Sequence, residues 1–226
     1  MRRIAVLGLG IYGLQLTRTL ARLGGHVIAV DRDPRIIEQV KRLVAESFVA
    51  DVQGREALKG MGIHQADAVV LCLGNDFEAT ETCLMHLREL GAKRIIARAT
   101  TEERADILEA LGPDQVITPT LDEARKMGQI LMTPCVEDYA RLHGGRSVVL
   151  YRAPEGFIGK TLGELRMGTR FRAFTVAVQH RVSVASSSVD AGMNHRPTAD
   201  LVIQEGDLLY IMGFDEDLLK LASRYA

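Results

Sequence analysis

The sequence predicts an α/β fold: an open parallel sheet with helices on both faces, followed by a small α+β module. Over residues 1–120, short apolar runs of strand length alternate with stretches whose apolar residues recur at helical spacing. The runs are apolar throughout rather than alternately polar, as strands covered on both faces are. After Gly144 and Gly145 the pattern changes to strand-like runs separated by polar, turn-rich segments.

"IAVLGLG" predicts the first strand, and "YGLQLTRTLARLG" a helix that closes in glycines. "HVIAVDRD" is the second strand, followed by a helix with Pro34 in its first turn and apolar positions at Ile36, Ile37, Val40 and Leu43. "SFVAD" and "GREALKGMGI" are a third strand and a short helix. "ADAVVLCLGND" then leads into the helix "FEATETCLMHLRELG". "KRIIARATTEE" and "RADILEALG" form the fifth pair, and "QVITPT" is a sixth strand. Strict alternation with right-handed crossovers leaves few topologies, and the Rossmann strand order leads them. From Leu121, "LDEARKMGQILMTP" is an amphipathic helix leaving the sheet, and "CVEDYARLHGG" completes a linker. The expected organisation is therefore a nucleotide-binding domain at 1–120, a helix and linker at 121–145, and a C-terminal domain at 146–226. In that last part "SVVLYRA", "RAFTVAVQH", "ADLVIQ" and "DLLYIMG" read as strands, and "TLGELRM" and "DEDLLKLASRY" as helices. The polar stretch from His180 to Asp200 reads as a hairpin with a mobile tip.

Composition narrows the function. Lys and Arg number 28 against 29 Asp and Glu, a net charge of −1, so the basic excess of a nucleic-acid binder is missing. No apolar run reaches the roughly 18 residues that cross a bilayer. The first segment runs straight into a glycine motif, unlike a cleavable signal peptide, and a cytoplasmic location is expected. Cys72, Cys83 and Cys135 are scattered, and the histidines form no metal-ligand pattern, so no metal site is expected from them.

The chemistry sits in Gly8, Gly10 and Gly13, which follow a strand, open a helix and precede an acid about 20 residues on. Gly8 permits the tight turn, Gly10 lets a diphosphate approach the backbone, and Gly13 lets helix and strand pack closely. The helix N-terminus offers unpaired N–H groups to the phosphates. Asp31, ending the second strand, can accept both hydroxyls of an adenosine ribose. It repels a 2′-phosphate, which the neighbouring Arg32 partly offsets. Asp51 and the adjoining Val52 close the third strand on the adenine side, where Asp51 could equally be a turn former. Gly74 and Asn75 follow the fourth strand near the phosphates, or simply start a helix. Arg98 ends the fifth strand, pointing into the crevice or into a surface ion pair. Ile11 and Tyr12 lie within the motif, and Tyr12 is no catalytic signature. Hydride transfer would need a substrate module with an acid or base. The tail offers only His180 and His195, so no catalytic residue is assigned. A small NAD(P)-dependent oxidoreductase is the alternative reading.

Taken end to end, the chain resembles the regulatory subunits of bacterial Trk/Ktr-type potassium uptake systems, the RCK or KTN proteins. The resemblance lies in "IAVLGLGIYGLQLTRTLARLGGHVIAVDRDPRIIEQV", in "FVADVQGREALKGMGIHQADAVVLCLGND" and in the tail "PTADLVIQEGDLLYIMGFDEDLLKLA", with its Gly-Asp pair before a final strand. It implies an RCK C-terminal module after the Rossmann-like domain and a non-catalytic, cytoplasmic protein peripheral to the inner face of the plasma membrane. It also implies a homodimer assembling into a ring, usually octameric, on an integral membrane potassium transporter or channel subunit; the soluble gating ring of a channel is a further alternative. The same residues, Gly8 to Arg98, would hold an adenine nucleotide, and the helix from Leu121 would lock two subunits together. Some relatives bind cyclic di-AMP or a divalent cation in the C-terminal module. Two positions depart from the pattern: Ile11 stands where ATP-discriminating members carry an arginine, and Thr120 follows Pro119 where they carry an acid. Loss of one charge-assisted phosphate contact removes about 1.5–3 kcal/mol. NAD(H), ADP or AMP is therefore expected in preference to ATP.

Overall fold

The computed structural model describes residues 1–74, 76–133, 135–142, 144–180 and 192–225. The chain divides into two units, Met1–Asp122 and Glu123–Ala226.

In the first unit, β1 (Arg3–Leu7), β2 (His26–Asp31), β3 (Glu46–Val49), β4 (Ala68–Leu71), β5 (Ile95–Arg98) and β6 (Gln115–Ile117) form one sheet in the order β3-β2-β1-β4-β5-β6. Every adjacent pair is parallel. This is the Rossmann order expected from the alternation. The chain works outward from β1 to β3 and then returns to β4 on the other side of β1. That reversal opens a crevice at the C-terminal ends of β1 and β4. Leu7 lies level with both Val30 and Leu71, so the three strand ends meet at that crevice.

The helices of this unit are α1 (Ile11–Arg22), α2 (Pro34–Glu38), α3 (Arg55–Gly60), α4 (Phe77–Glu89) and α5 (Glu102–Ala110). Alternate strand residues bury against opposite layers. Val6, Val27, Ala29 and Val70 pack with Ile37, Val40 and Leu16, while Ala5, Leu7, Ile28, Val30 and Leu71 pack with Leu58, Leu84, Leu87 and Leu108. Burial on both faces is why these strands read as unbroken apolar runs. Truncating a fully buried leucine such as Leu84 to alanine costs about 2–5 kcal/mol. α2 is shorter than its apolar spacing suggests. The helix ends at Glu38, Leu43 is exposed, and Ala45 already donates to the Val27 carbonyl at 3.1 Å, because the chain must turn back to align β3 with β2.

The division between the units falls in the first turn of α6 (Pro119–Met132). The second unit holds β7 (Val136–Leu142), β8 (Arg146–Arg152), β9 (Phe174–Gln179), β10 (Met193–Asn194) and β11 (Leu208–Phe214), antiparallel in the order β10-β9-β11-β8-β7. With them are α7 (Leu162–Leu165), α8 (Met167–Phe171) and α9 (Asp215–Tyr225), around a core of Tyr151, Phe157, Ile203, Leu209, Ile211 and Leu221. The stretch read as the end of a linker is β7. Gly144 and Gly145, at φ +73° and +67°, lie between β7 and β8 inside this unit rather than at a boundary. "ADLVIQ" is no strand. It holds a single bridge from Thr161 to Val202, and the Asp207 carboxylate accepts the Gln204 N–H at 2.8 Å, which turns the chain there. The turn of the expected hairpin, 181–191, lies outside the described residues. No helix among the described residues is long and apolar enough to cross a membrane.

Candidate functional site

A cleft of about 350 Å³ opens at the C-terminal ends of β1, β2 and β4. Its floor is the turn from β1 into α1, and the three glycines there have different jobs. Gly8 has φ +88°, and a Cβ on it would stand 2.7 Å from the Cys72 carbonyl oxygen. A Cβ on Gly13 would stand 2.0 Å from the Gly8 carbonyl oxygen. Both are therefore required by close packing of backbone on backbone. Gly10 is different: it is the N-cap of α1 with ordinary φ −62°, and none of the described residues lies within 4 Å of where its Cβ would be. The open space over Gly10 is where an anion can reach the first-turn N–H groups, which have no intrahelical partner.

Asp31 is held rigidly beside that turn. One carboxylate oxygen accepts the Leu9 N–H at 2.6 Å and the other the Asp33 N–H at 2.8 Å. Each oxygen keeps a further lone pair for a hydroxyl. Asp33 caps α2 and pairs with Arg35 at 2.8 Å; that hydrogen bond holds its carboxyl below the usual carboxylate range. Asp51 accepts the Gln53 N–H at 2.9 Å, and Val52 beside it is buried. Arg32, Asp51, Val52 and Gly74 all line the cleft together with Gly8, Gly10 and Asp31.

The remaining expected residues are placed elsewhere. Ile11 is 92% exposed at the start of α1. Tyr12 faces the sheet on the α1 side, where the Arg98 guanidinium sits 5.5 Å from its ring centre. Arg98 shares that face with Ile96 and is not among the cleft-lining residues; its Nε is buried with no hydrogen-bond partner among the described residues. Asn75 lies outside the described residues.

Two acidic lining residues were not anticipated, Asp33 and Asp76. Each is an N-cap: Asp76 accepts the Ala79 N–H at 3.2 Å and so starts α4. The readable signal was an aspartate immediately before a helical run, in "DRDP" and "NDFEAT". Cys72 also lines the cleft, but burial pushes its thiol up to about 12, and it stays protonated. In the second unit His180 Nδ1–H donates to the fully buried Asp207 carboxylate at 3.1 Å, so that histidine is tied into a turn. No group of three or more His, Cys, Asp or Glu side chains that could hold a metal is present among the described residues.

The family described as TrkA-N domain matches residues 4–119, just over half of the chain. The chain is 25% identical over 223 residues to the Ktr system potassium uptake protein C of Bacillus subtilis, covering 99% of this chain and 97% of that protein. It is 23% identical to the Ktr system potassium uptake protein A of Vibrio alginolyticus, covering 96% of this chain and 94% of that one. It spans only 48% of the Trk system potassium uptake protein TrkA homolog of Archaeoglobus fulgidus, at 25% identity. Among solved structures, the GsuK channel bound to NAD superposes with a TM-score of 0.64 at 17% identity, covering 96% of this chain and 38% of that one. The GsuK RCK domain superposes with a TM-score of 0.53 at 24% identity, covering 98% of this chain and 46% of that one. Those structures share this chain's fold.

Proposed function

Because this chain belongs to the TrkA-N domain family, we propose that it is a regulatory subunit that gates a potassium transporter or channel in response to a bound adenine nucleotide. The observation that carries the reading is the pairing of an open Gly10 with a rigidly held Asp31 in one cleft. Phosphates lie over Gly10 on the α1 N-terminus, and the ribose hydroxyls bond Asp31. End-to-end similarity to potassium uptake proteins supports the regulatory role. A protonated Cys72 in the cleft and a His180 tied to Asp207 support binding rather than catalysis.

The partner is an integral membrane potassium-transport subunit, and the working location is the cytoplasmic face of the membrane. Two copies pair through α6. None of its described residues is buried, and Met127, Leu131 and Met132 stand exposed along it, which supports a role in covering another surface. Dimers then close into a ring, the octamer being the expected size.

Regulation needs a ligand with different affinity for two shapes of that ring. The test is to identify any nucleotide released on denaturing the purified protein and to titrate NADH, ADP, AMP and ATP by thermal shift. Scattering is then recorded with and without the tightest binder. A rise in melting temperature with a changed scattering curve is expected. No response to any of the four refutes the reading.

A further inference from the structure

We propose that the cleft selects its nucleotide by charge, taking an adenosine diphosphate esterified at its far end over ADP and ATP, with Asp76 enforcing the choice. This rests on the nucleotide reading above. The ligand class is a dinucleotide or ADP-ribose.

The lining is acidic for a phosphate site. Asp31, Asp33, Asp51 and Asp76 face the cleft against one guanidinium, Arg32. Two of these carboxylates have both oxygens engaged, Asp31 by two N–H groups and Asp33 by Arg35, while Asp51, like Asp76, gives one oxygen to a backbone N–H. Asp76 uses one oxygen to cap α4, and among the described residues its other oxygen meets a distant Arg32 Nη1, at 3.8 Å.

Position makes Asp76 the discriminating residue. Arg32 follows β2 and Asp76 precedes α4 after β4, while β1 and its glycine turn lie between them in the sheet. The Arg32–Asp76 contact therefore crosses above the glycine turn. A nucleotide anchored at Asp31 runs its phosphates over Gly10 toward β4, and its far end arrives at Asp76. A terminal phosphate carries about 1.5 to 2 negative charges, whereas an esterified phosphate carries one. ADP and ATP bring that extra charge against the carboxylate, and a diester does not. Arg32 offsets part of the repulsion.

The experiment is calorimetric titration of the full chain with ADP-ribose, NADH, ADP and ATP in magnesium-free buffer at low salt, for wild type, Asp76→Asn and Arg32→Gln. Asparagine caps a helix as well as aspartate, so Asp76→Asn keeps α4 intact. Wild type is expected to bind ADP-ribose and NADH more tightly than ADP, and ADP more tightly than ATP. Asp76→Asn should narrow the ADP-ribose to ADP preference by about two- to fivefold, the effect of one exposed charge pair. Arg32→Gln should widen it. A preference unmoved by Asp76→Asn, moved in the same direction by both variants, or reversed in wild type overturns the inference while leaving the nucleotide site standing. Wild type that binds none of the four removes the nucleotide reading and the inference together.

Discussion

Replacing Gly13 and Gly10 by alanine separates what holds the turn together from what the turn holds. A Cβ at Gly13 must move from 2.0 Å to the 3.4 Å of ordinary contact with the Gly8 carbonyl oxygen, and Cys72 Cβ stands only 3.2 Å away on another side. The obstacle is backbone, so α1 must shift off β1. Overpacking of that kind costs about 1–3 kcal/mol, and its rigid neighbour puts it near 3. Alanine within a helix returns about 1 kcal/mol relative to glycine. Gly13→Ala therefore loses about 2 kcal/mol, a fall in melting temperature of about 4–8 °C for a chain of this size. Gly10→Ala meets none of the described residues within 4 Å and needs no unusual φ, so it should lose less than about 1 kcal/mol as a poorer N-cap. Its Cβ instead occupies the space above the α1 N-terminus, and nucleotide affinity should fall at least tenfold, as roughly one lost charge-assisted contact predicts. Urea unfolding at matched protein concentration and nucleotide titration read the two effects. A Gly13→Ala protein as stable as wild type refutes the packing argument. Wild-type affinity in Gly10→Ala refutes the placement of phosphates over that residue.

Three further outcomes follow from single side chains. Burial pushes the Cys72 and Cys83 thiols up to about 12, so both should resist iodoacetamide in the folded protein at pH 8 and react promptly in guanidinium. Glu46 is held below its ordinary range first by the His26 hydrogen bond at 2.9 Å and then by Arg3 at 3.1 Å. A depressed carboxyl stabilises the fold above the ordinary glutamate range and loses that contribution as pH falls through its folded value. Wild type should therefore exceed Glu46→Gln in stability near neutrality, and acid titration of urea midpoints should bring the two together. Asp207→Ala removes a fully buried carboxylate that the Gln204 N–H and the half-buried His180 Nδ1 both bond, and should cost about 1–3 kcal/mol by the same unfolding assay.

The sequence made the first sheet readable because its strands are covered on both faces, leaving uninterrupted runs such as Val27 to Val30. β7 was hidden for the opposite reason. Among the described residues it is an edge strand with β8 alone beside it, and Glu137, Asp138 and Arg141 face solvent, so its apolar signature is too weak to separate from a linker. "ADLVIQ" misled in the other direction: its apolar residues suggested a strand, yet Val202 is exposed and only Ile203 is fully buried. At the cleft, Gly8, Gly10, Gly13 and Asp31 follow from motif chemistry. The side a strand residue faces does not: Arg98 ends the right strand, and pleat parity sends it to the Tyr12 side with Ile96.

The division of labour among the glycines bears on how a ligand could signal. Gly8 and Gly13 are closed in by backbone, and Asp31 is fixed by two N–H groups, so the floor of the cleft has little room to rearrange. A ligand shifts an equilibrium only through contacts that differ between states. Those contacts must then come from the rim. Arg32 and Asp76 are 80% and 41% exposed and touch only across a 3.8 Å gap, while Ile11 stands bare at the lip of α1. Under the proposed nucleotide reading, a rigid floor and a loose, charged rim would allow affinity and response to be set by different residues. On this reasoning, rim substitutions should alter the scattering change on binding more than the binding itself, and floor substitutions should do the reverse.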